Sequence, residues 1–194
     1  MRDWFCSQLD GKKFAANQEE SASVGLLPLL TQVIQNNYSK GLVSLAFSMI
    51  NGLFHVTIHE SDQQFTLPVD FESAKTLDLD YHGEPYRVAV SGRFTADEDD
   101  TPVLWLRISF LEIANARILK IFFLGDRIET HWSDIPGTSC LTAGLAFIQG
   151  ELKTFPMLDN ILAKADNDFV RYKLAKAMEP VVTAHLTADK KTGR

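Results

Sequence analysis

The chain has 194 residues, 45% hydrophobic and 23% charged, with a formal net charge of −6. This composition suits one globular domain with a sizeable core. The acidic balance argues against general affinity for nucleic acid, so no nucleic-acid partner is expected. No apolar run approaches the roughly 20 residues that span a bilayer, and Met1-Arg2-Asp3-Trp4 does not begin a signal peptide, so no membrane partner is expected either.

Residues 1–40 read as an N-terminal arm and helix. The first 20 are polar and irregular, with Trp4, Phe5, Leu9 and Phe14 able to dock on the main body. Ser21 or Ser23 can cap a helix through Leu26, Leu27, Leu30, Val33 and Ile34, provided Pro28 lies in its first turn. Asn36-Asn37 and Gly41 end it.

Between residues 42 and 132 apolar and polar residues alternate in about eight short runs. The apolar sets are Val43/Leu45/Phe47/Met49, Phe54/Val56/Ile58, Phe65/Leu67/Val69, Leu77/Leu79/Tyr81, Tyr86/Val88/Val90, Leu104/Leu106/Ile108/Phe110 and Ile128/Thr130/Trp132, while Ile118 to Leu124 is apolar on both faces. A period of two places each set on one side of a strand. Asn51-Gly52, Ser61-Asp62, Gly83-Glu84-Pro85, Ala96 to Pro102 and Gly125-Asp126 are turn signals. Connections this short force antiparallel neighbours. The expected fold is therefore α+β, mainly β: an up-and-down meander that closes into a barrel or stays a strongly curved sheet. Closure of eight strands would pair 42–50 with 127–132.

Residues 138–186 read as a helical C-terminal segment, from the spacing of Leu141 to Gln149, Met157/Leu158/Ile161/Leu162 and Phe169/Val170/Leu174/Ala177/Met178/Val181. Residues 187–194 are a frayed tail. The whole, 1–194, reads as a single domain.

Motifs for chemistry are sparse. Lys191-Thr192-Gly193 matches a β-lactamase signature, but no Ser stands three residues before a Lys and Ser-Asp-Asn is missing. Gly-x-Ser-x-Gly, phosphate loops and dinucleotide fingerprints are also missing, and nothing pairs Ser139 or Cys140 with a base. His55 and His59 share a strand face but stand on the order of 13 Å apart, too far for one metal. Asp97 to Asp100 forms a contiguous acidic tip without the spacing of a calcium loop. Enzyme status therefore leans to no, with no cofactor and no metal expected. Cys6 and Cys140 read as reduced thiols of a cytoplasmic protein.

Two residue sets remain as candidate sites. The outward positions collect Arg87, Arg93, Trp105, Arg107, Arg127 and His131, interspersed with Ser91, Ser109 and Glu129. This ladder can offer planar guanidinium forks to an anion or carboxylate, or be an ordinary charged exterior. The inward positions are aromatic-rich, and Tyr81, Tyr86, Phe110 and Trp132 either fill the barrel or line a small apolar ligand.

The order Tyr81-His82-Gly83-Glu84-Pro85-Tyr86, Ser91-Gly92-Arg93-Phe94-Thr95, Val103-Leu104-Trp105-Leu106-Arg107-Ile108-Ser109-Phe110-Leu111-Glu112, Ala116-Arg117-Ile118-Leu119-Lys120 and Ser133-Asp134-Ile135-Pro136-Gly137 resembles a known module. It is similar to the non-catalytic C-terminal, lipocalin-like domain appended to many bacterial β-lactamase-like serine hydrolases, over residues 25–137. The resemblance implies an accessory or binding barrel that acts through a protein partner or homo-oligomer. The family's catalytic residues lie in a separate domain, so it implies no catalytic residue here. The alternatives are a lipocalin-type binder of a small apolar or carboxylate ligand, and a hydrolase with an unrecognised site.

Overall fold

The computed structural model describes residues 2–22, 24–137 and 176–187. They form helices α1 (Arg2–Leu9), α2 (Gln18–Ser21) and α3 (Leu29–Gln35), and strands β1 (Lys13–Ala16), β2 (Leu42–Ile50), β3 (Leu53–Glu60), β4 (Gln64–Val69), β5 (Lys75–Tyr81), β6 (Glu84–Ala96), β7 (Pro102–Phe110), β8 (Asn115–Leu124), β9 (Arg127–Ile135) and β10 (Val181–Leu186). All ten strands lie in one antiparallel sheet of order β4-β3-β2-β1-β10-β9-β8-β7-β6-β5, curved into a nearly closed barrel. The tight hairpins follow from local chemistry. Asn51 and Gly52 both adopt positive φ, 53° and 79°, the twist that a two-residue hairpin turn needs.

The barrel has a seam between β4 and β5, which are not hydrogen-bonded to each other. At one end of the seam β4 reaches past the start of β5 to β6, where the Gly92 amide donates to the Asp70 carbonyl at 3.4 Å. A side chain at Gly92 would meet Val69 Cγ1 at 2.5 Å, so this close approach requires glycine. At the other end, Phe65 and Tyr81 stack with centroids 5.4 Å apart.

The inward sets are those the alternation indicates: Val56, Ile58, Leu67, Val88, Val90, Leu104, Leu106, Ile108, Leu119, Ile121 and Ile128 are all fully buried. At the α1 end the interior is aromatic. Phe5 lies 5.2 Å from Phe94 and 5.5 Å from Phe123, and Phe47 lies 5.9 Å from Phe14 and 6.0 Å from Phe54.

Several expectations need correction. Among the described residues the sheet has ten strands, not about eight, because β1 arises in the arm expected to be irregular and β10 in the segment expected to be helical. β1 is only four residues long, too short to show a period, and Val181 falls on the helical spacing of the residues before it. Strand β2 consequently does not pair with β9; β1 and β10 stand between them. The first ten residues are mostly α1, whose Phe5, Cys6 and Leu9 face the barrel while Trp4 is exposed.

A further correction concerns Leu26 and Leu27, which precede α3 instead of lying in it. Pro28 is the residue at the helix N-cap, and Asn36 in the left-handed region ends the helix. Val43 also departs from its expected place. A register shift between Leu42 and Ser44 turns Val43 outward, and Leu42 takes the buried position; Met49, near the hairpin tip, is also partly exposed. The helical spacings read between 141 and 174, and Ser139, Cys140 and Lys191-Thr192-Gly193, lie outside the described residues.

Candidate functional site

The mouth of the barrel on the α3 side is filled by residues 24–28. Val24, Leu26 and Leu27 are fully buried there, yet between Gly25 and Leu27 the backbone has no helix or strand to join. Side chains satisfy it instead. Glu60 Oε1 accepts from the Leu26 amide at 2.9 Å, and Glu60 Oε2 accepts from the Tyr81 hydroxyl at 2.9 Å and from Ser39. On the opposite wall Arg117 donates from Nε to the Gly25 carbonyl at 3.2 Å and from Nη1 to Asp134 at 2.5 Å. Asp134 Oδ2 accepts from the Leu29 amide at 3.0 Å, and the Trp132 ring lies 5.2 Å from the Arg117 guanidinium. Burial is the main cause that raises the Glu60 carboxyl above its usual range. The Tyr81 hydroxyl is raised too, by burial and then by Glu60.

These groups pack and anchor the segment that fills the mouth. Of the four interior candidates, Tyr81 and Trp132 belong to this plug, and Tyr86 and Phe110 meet edge to face at 5.5 Å beneath α3, with Tyr86 donating to Gln35. All four are buried. The residues that matter most here, Glu60, Arg117 and Asp134, are not in the expected set.

The other mouth holds a cleft of about 480 Å³ between α1, the β2–β3 hairpin tip and the turn after β4. Met49, Leu53, Phe54, Val69 and Phe71 give it an apolar wall, and Arg2, Asp3, Asp70 and Glu72 a charged rim. The rim charges are already paired. Arg2 contacts Asp3 at 3.1 Å and Glu72 at 3.5 Å, and its guanidinium lies 5.8 Å from the Phe71 ring centroid. Asp70 accepts from the Glu72 amide at 2.9 Å and pairs with Lys75 at 3.0 Å; the first of these is the larger reason its carboxyl sits well below the usual range. Cys6 also lines the cleft, and burial pushes its thiol up, away from the reactive thiolate.

The outward ladder is only partly assembled. Register places Arg93 opposite Trp105, Trp105 opposite Lys120, and Lys120 opposite His131, one row across β6 to β9. The Arg93 guanidinium lies 5.0 Å from the Trp105 ring centroid, and His131 contacts Glu129 at 2.6 Å. Arg107 is displaced from the row, opposite Ser91, with Nε on Ser109 Oγ at 3.2 Å. Arg87 pairs with Asp78 at 3.6 Å near the α3 end, and Arg127 lies at the start of β9 near the α1 end, so neither joins the others. Lys120 is an addition to the expected set.

No family model matches the chain, and no curated protein matches it. Among solved structures it is similar to the fatty acid-binding protein from brain tissue of Drosophila melanogaster, without citrate inside. The identity is 12% and the TM-score 0.38, over 65% of this chain and 91% of that chain. Among the described residues no helix is long and apolar enough to cross a membrane.

Proposed function

We propose that the protein is a non-enzymatic barrel that binds a small, mainly apolar molecule in the cleft beneath α1. The observation that carries this reading is the cleft itself: about 480 Å³ with an apolar wall and a few polar groups at its rim. That size is within the range of ligand sites, and a barrel mouth is a common place for one. Against catalysis, the rim charges are engaged with one another, and burial and the nearby Asp3 carboxylate both raise the Cys6 thiol. The test is titration with 1-aminoanthracene, a neutral three-ring dye, followed by fluorescence. Saturable binding is expected, weakened at least tenfold by Met49→Arg with the melting temperature unchanged. Dye binding that ignores this substitution, or no binding, removes the proposal.

A second proposal comes from the sequence resemblance over residues 25–137. It places this barrel beside a β-lactamase-like serine hydrolase as a docked accessory. Analytical ultracentrifugation of the mixed pure proteins tests it, and separate sedimentation at micromolar concentration would discard it.

A further inference from the structure

The protein is acidic overall, yet its charge is unevenly spread. Across β6 to β9 the outward positions carry Arg87, Arg93, Arg107, Lys120 and Arg127, together with His131, and a single carboxylate, Glu129. Glu129 is engaged with His131. Two half-buried rings sit among these cations. Trp105 lies in the row between Arg93 and Lys120, and Phe122, two residues along β8, has its ring 4.8 Å from that of His131. Arg93, Arg107 and Lys120 are exposed. None of these residues lines the cleft beneath α1.

We infer that the outer face of β6 to β9 binds single-stranded nucleic acid along the row Arg93–Trp105–Lys120–His131. Cations separated by strand spacings track a phosphate backbone, and planar groups between them offer stacking surface to bases. The row spans three strand spacings, ~14 Å, a length for a few nucleotides. An acidic peptide would satisfy the cations but leave Trp105 and Phe122 without a role. The acidic tip Asp97 to Asp100 and Asp126 stand at the α1 end of the same strands. They repel phosphate there and favour a path across the strands over one along them. The net charge of −6 still argues against affinity elsewhere on the surface.

The experiment is fluorescence anisotropy with a fluorescein-labelled 12-nucleotide uridylate RNA. Three phosphate contacts, at Arg93, Arg107 and Lys120, predict roughly an 18-fold loss of affinity between 50 and 200 mM salt, from a slope of about −0.7 per contact. Arg93→Ala with Lys120→Ala should weaken binding at least tenfold and flatten that slope. Trp105→Leu should weaken it about tenfold and leave the slope intact. Lys40→Ala, away from this face, should change nothing. Circular dichroism checks that each variant is folded, and Phe122→Leu replaces Trp105→Leu if the latter is not. Three results overturn the inference: no RNA binding at 50 mM salt, binding indifferent to the face variants, or a duplex bound as tightly as the single strand. Binding to phosphatidylserine vesicles in place of RNA also overturns it and assigns the face to anionic lipid.

Discussion

At the α3 end the barrel is closed by irregular backbone, and at the α1 end by a helix, and the side chains that each closure needs differ accordingly. Gly25 to Leu27 lie outside any ladder or helix, so buried polar groups meet their backbone: Glu60 the Leu26 amide, Arg117 the Gly25 carbonyl, and Gln32 Nε2 the Leu27 carbonyl at 2.7 Å, while Asp134 meets the first amide of α3, at Leu29. Helix α1 satisfies much of its own backbone. Its contact with the barrel can therefore be apolar, through Phe5, Cys6 and Leu9, and no buried charge is needed. A closure held by directed polar bonds is specific and intolerant of change. One held by aromatic packing can shift, which suits the end that carries the cleft.

The sharpest way to break this contrast is at Arg117. Arg117→Met leaves Asp134 buried without its cation, and the expected loss is about 3–5 kcal/mol of stability by urea unfolding. Replacing both, as Arg117→Met with Asp134→Leu, removes the stranded charge and should recover much of that loss, although the Gly25 carbonyl and Leu29 amide stay unpartnered. If Arg117→Met alone costs under about 1 kcal/mol, the plug is held by its leucines and the contrast between the ends fails. At the other end, Phe5→Ala should cost ~2 kcal/mol, below the range for a fully buried Phe because Phe5 is only partly covered. The same variant should loosen 1-aminoanthracene binding, whereas Arg117→Met should affect binding only through unfolding. Melting curves and dye titrations on both variants separate these effects.

Much of the fold and of the plug is legible in the alternation. The inward parity of Phe54/Val56/Ile58 continues to Glu60, that of Ile128/Thr130/Trp132 to Asp134, and that of Leu119/Ile121/Phe123 back to Arg117. A charged residue on an inward parity marks a buried polar contact, and the pattern of residues alone thus points to the plug anchors. The cleft carries no such signal, because Arg2 and Glu72 meet from 70 residues apart through the placement of α1. The outer row lies between these cases. Alternation sorts residues to the outer face, but only register decides that Lys120 stands between Trp105 and His131 while Arg87 and Arg127 fall at opposite ends. β1 is hidden by its brevity, and β10 by a helical spacing that runs on into Val181.

The smallest expected effect concerns Glu60, and its value lies in direction. Burial is the first cause that raises this carboxyl, with Asp62 adding a little, while bonds from the Leu26 amide, Ser39 and Tyr81 oppose it. The folded chain thus holds the proton more tightly than the unfolded chain, whose Glu titrates near ~4.3. The stability this group contributes is fully present below that value and is lost as pH rises through the folded one. A protonated Glu60 also fits the neighbours. It can donate to Ser39, which then donates to the Val24 carbonyl at 3.1 Å and accepts from the Gly41 amide at 3.1 Å. Glu60→Gln keeps a neutral group in place and cannot ionise. Its stability relative to the parent protein should therefore improve steadily from about pH 4 upward through the folded pKa, measured by urea unfolding at one-unit steps. Parallel curves for the two proteins would show that Glu60 titrates alike folded and unfolded, and the plug would then be held by a carboxylate that water still reaches.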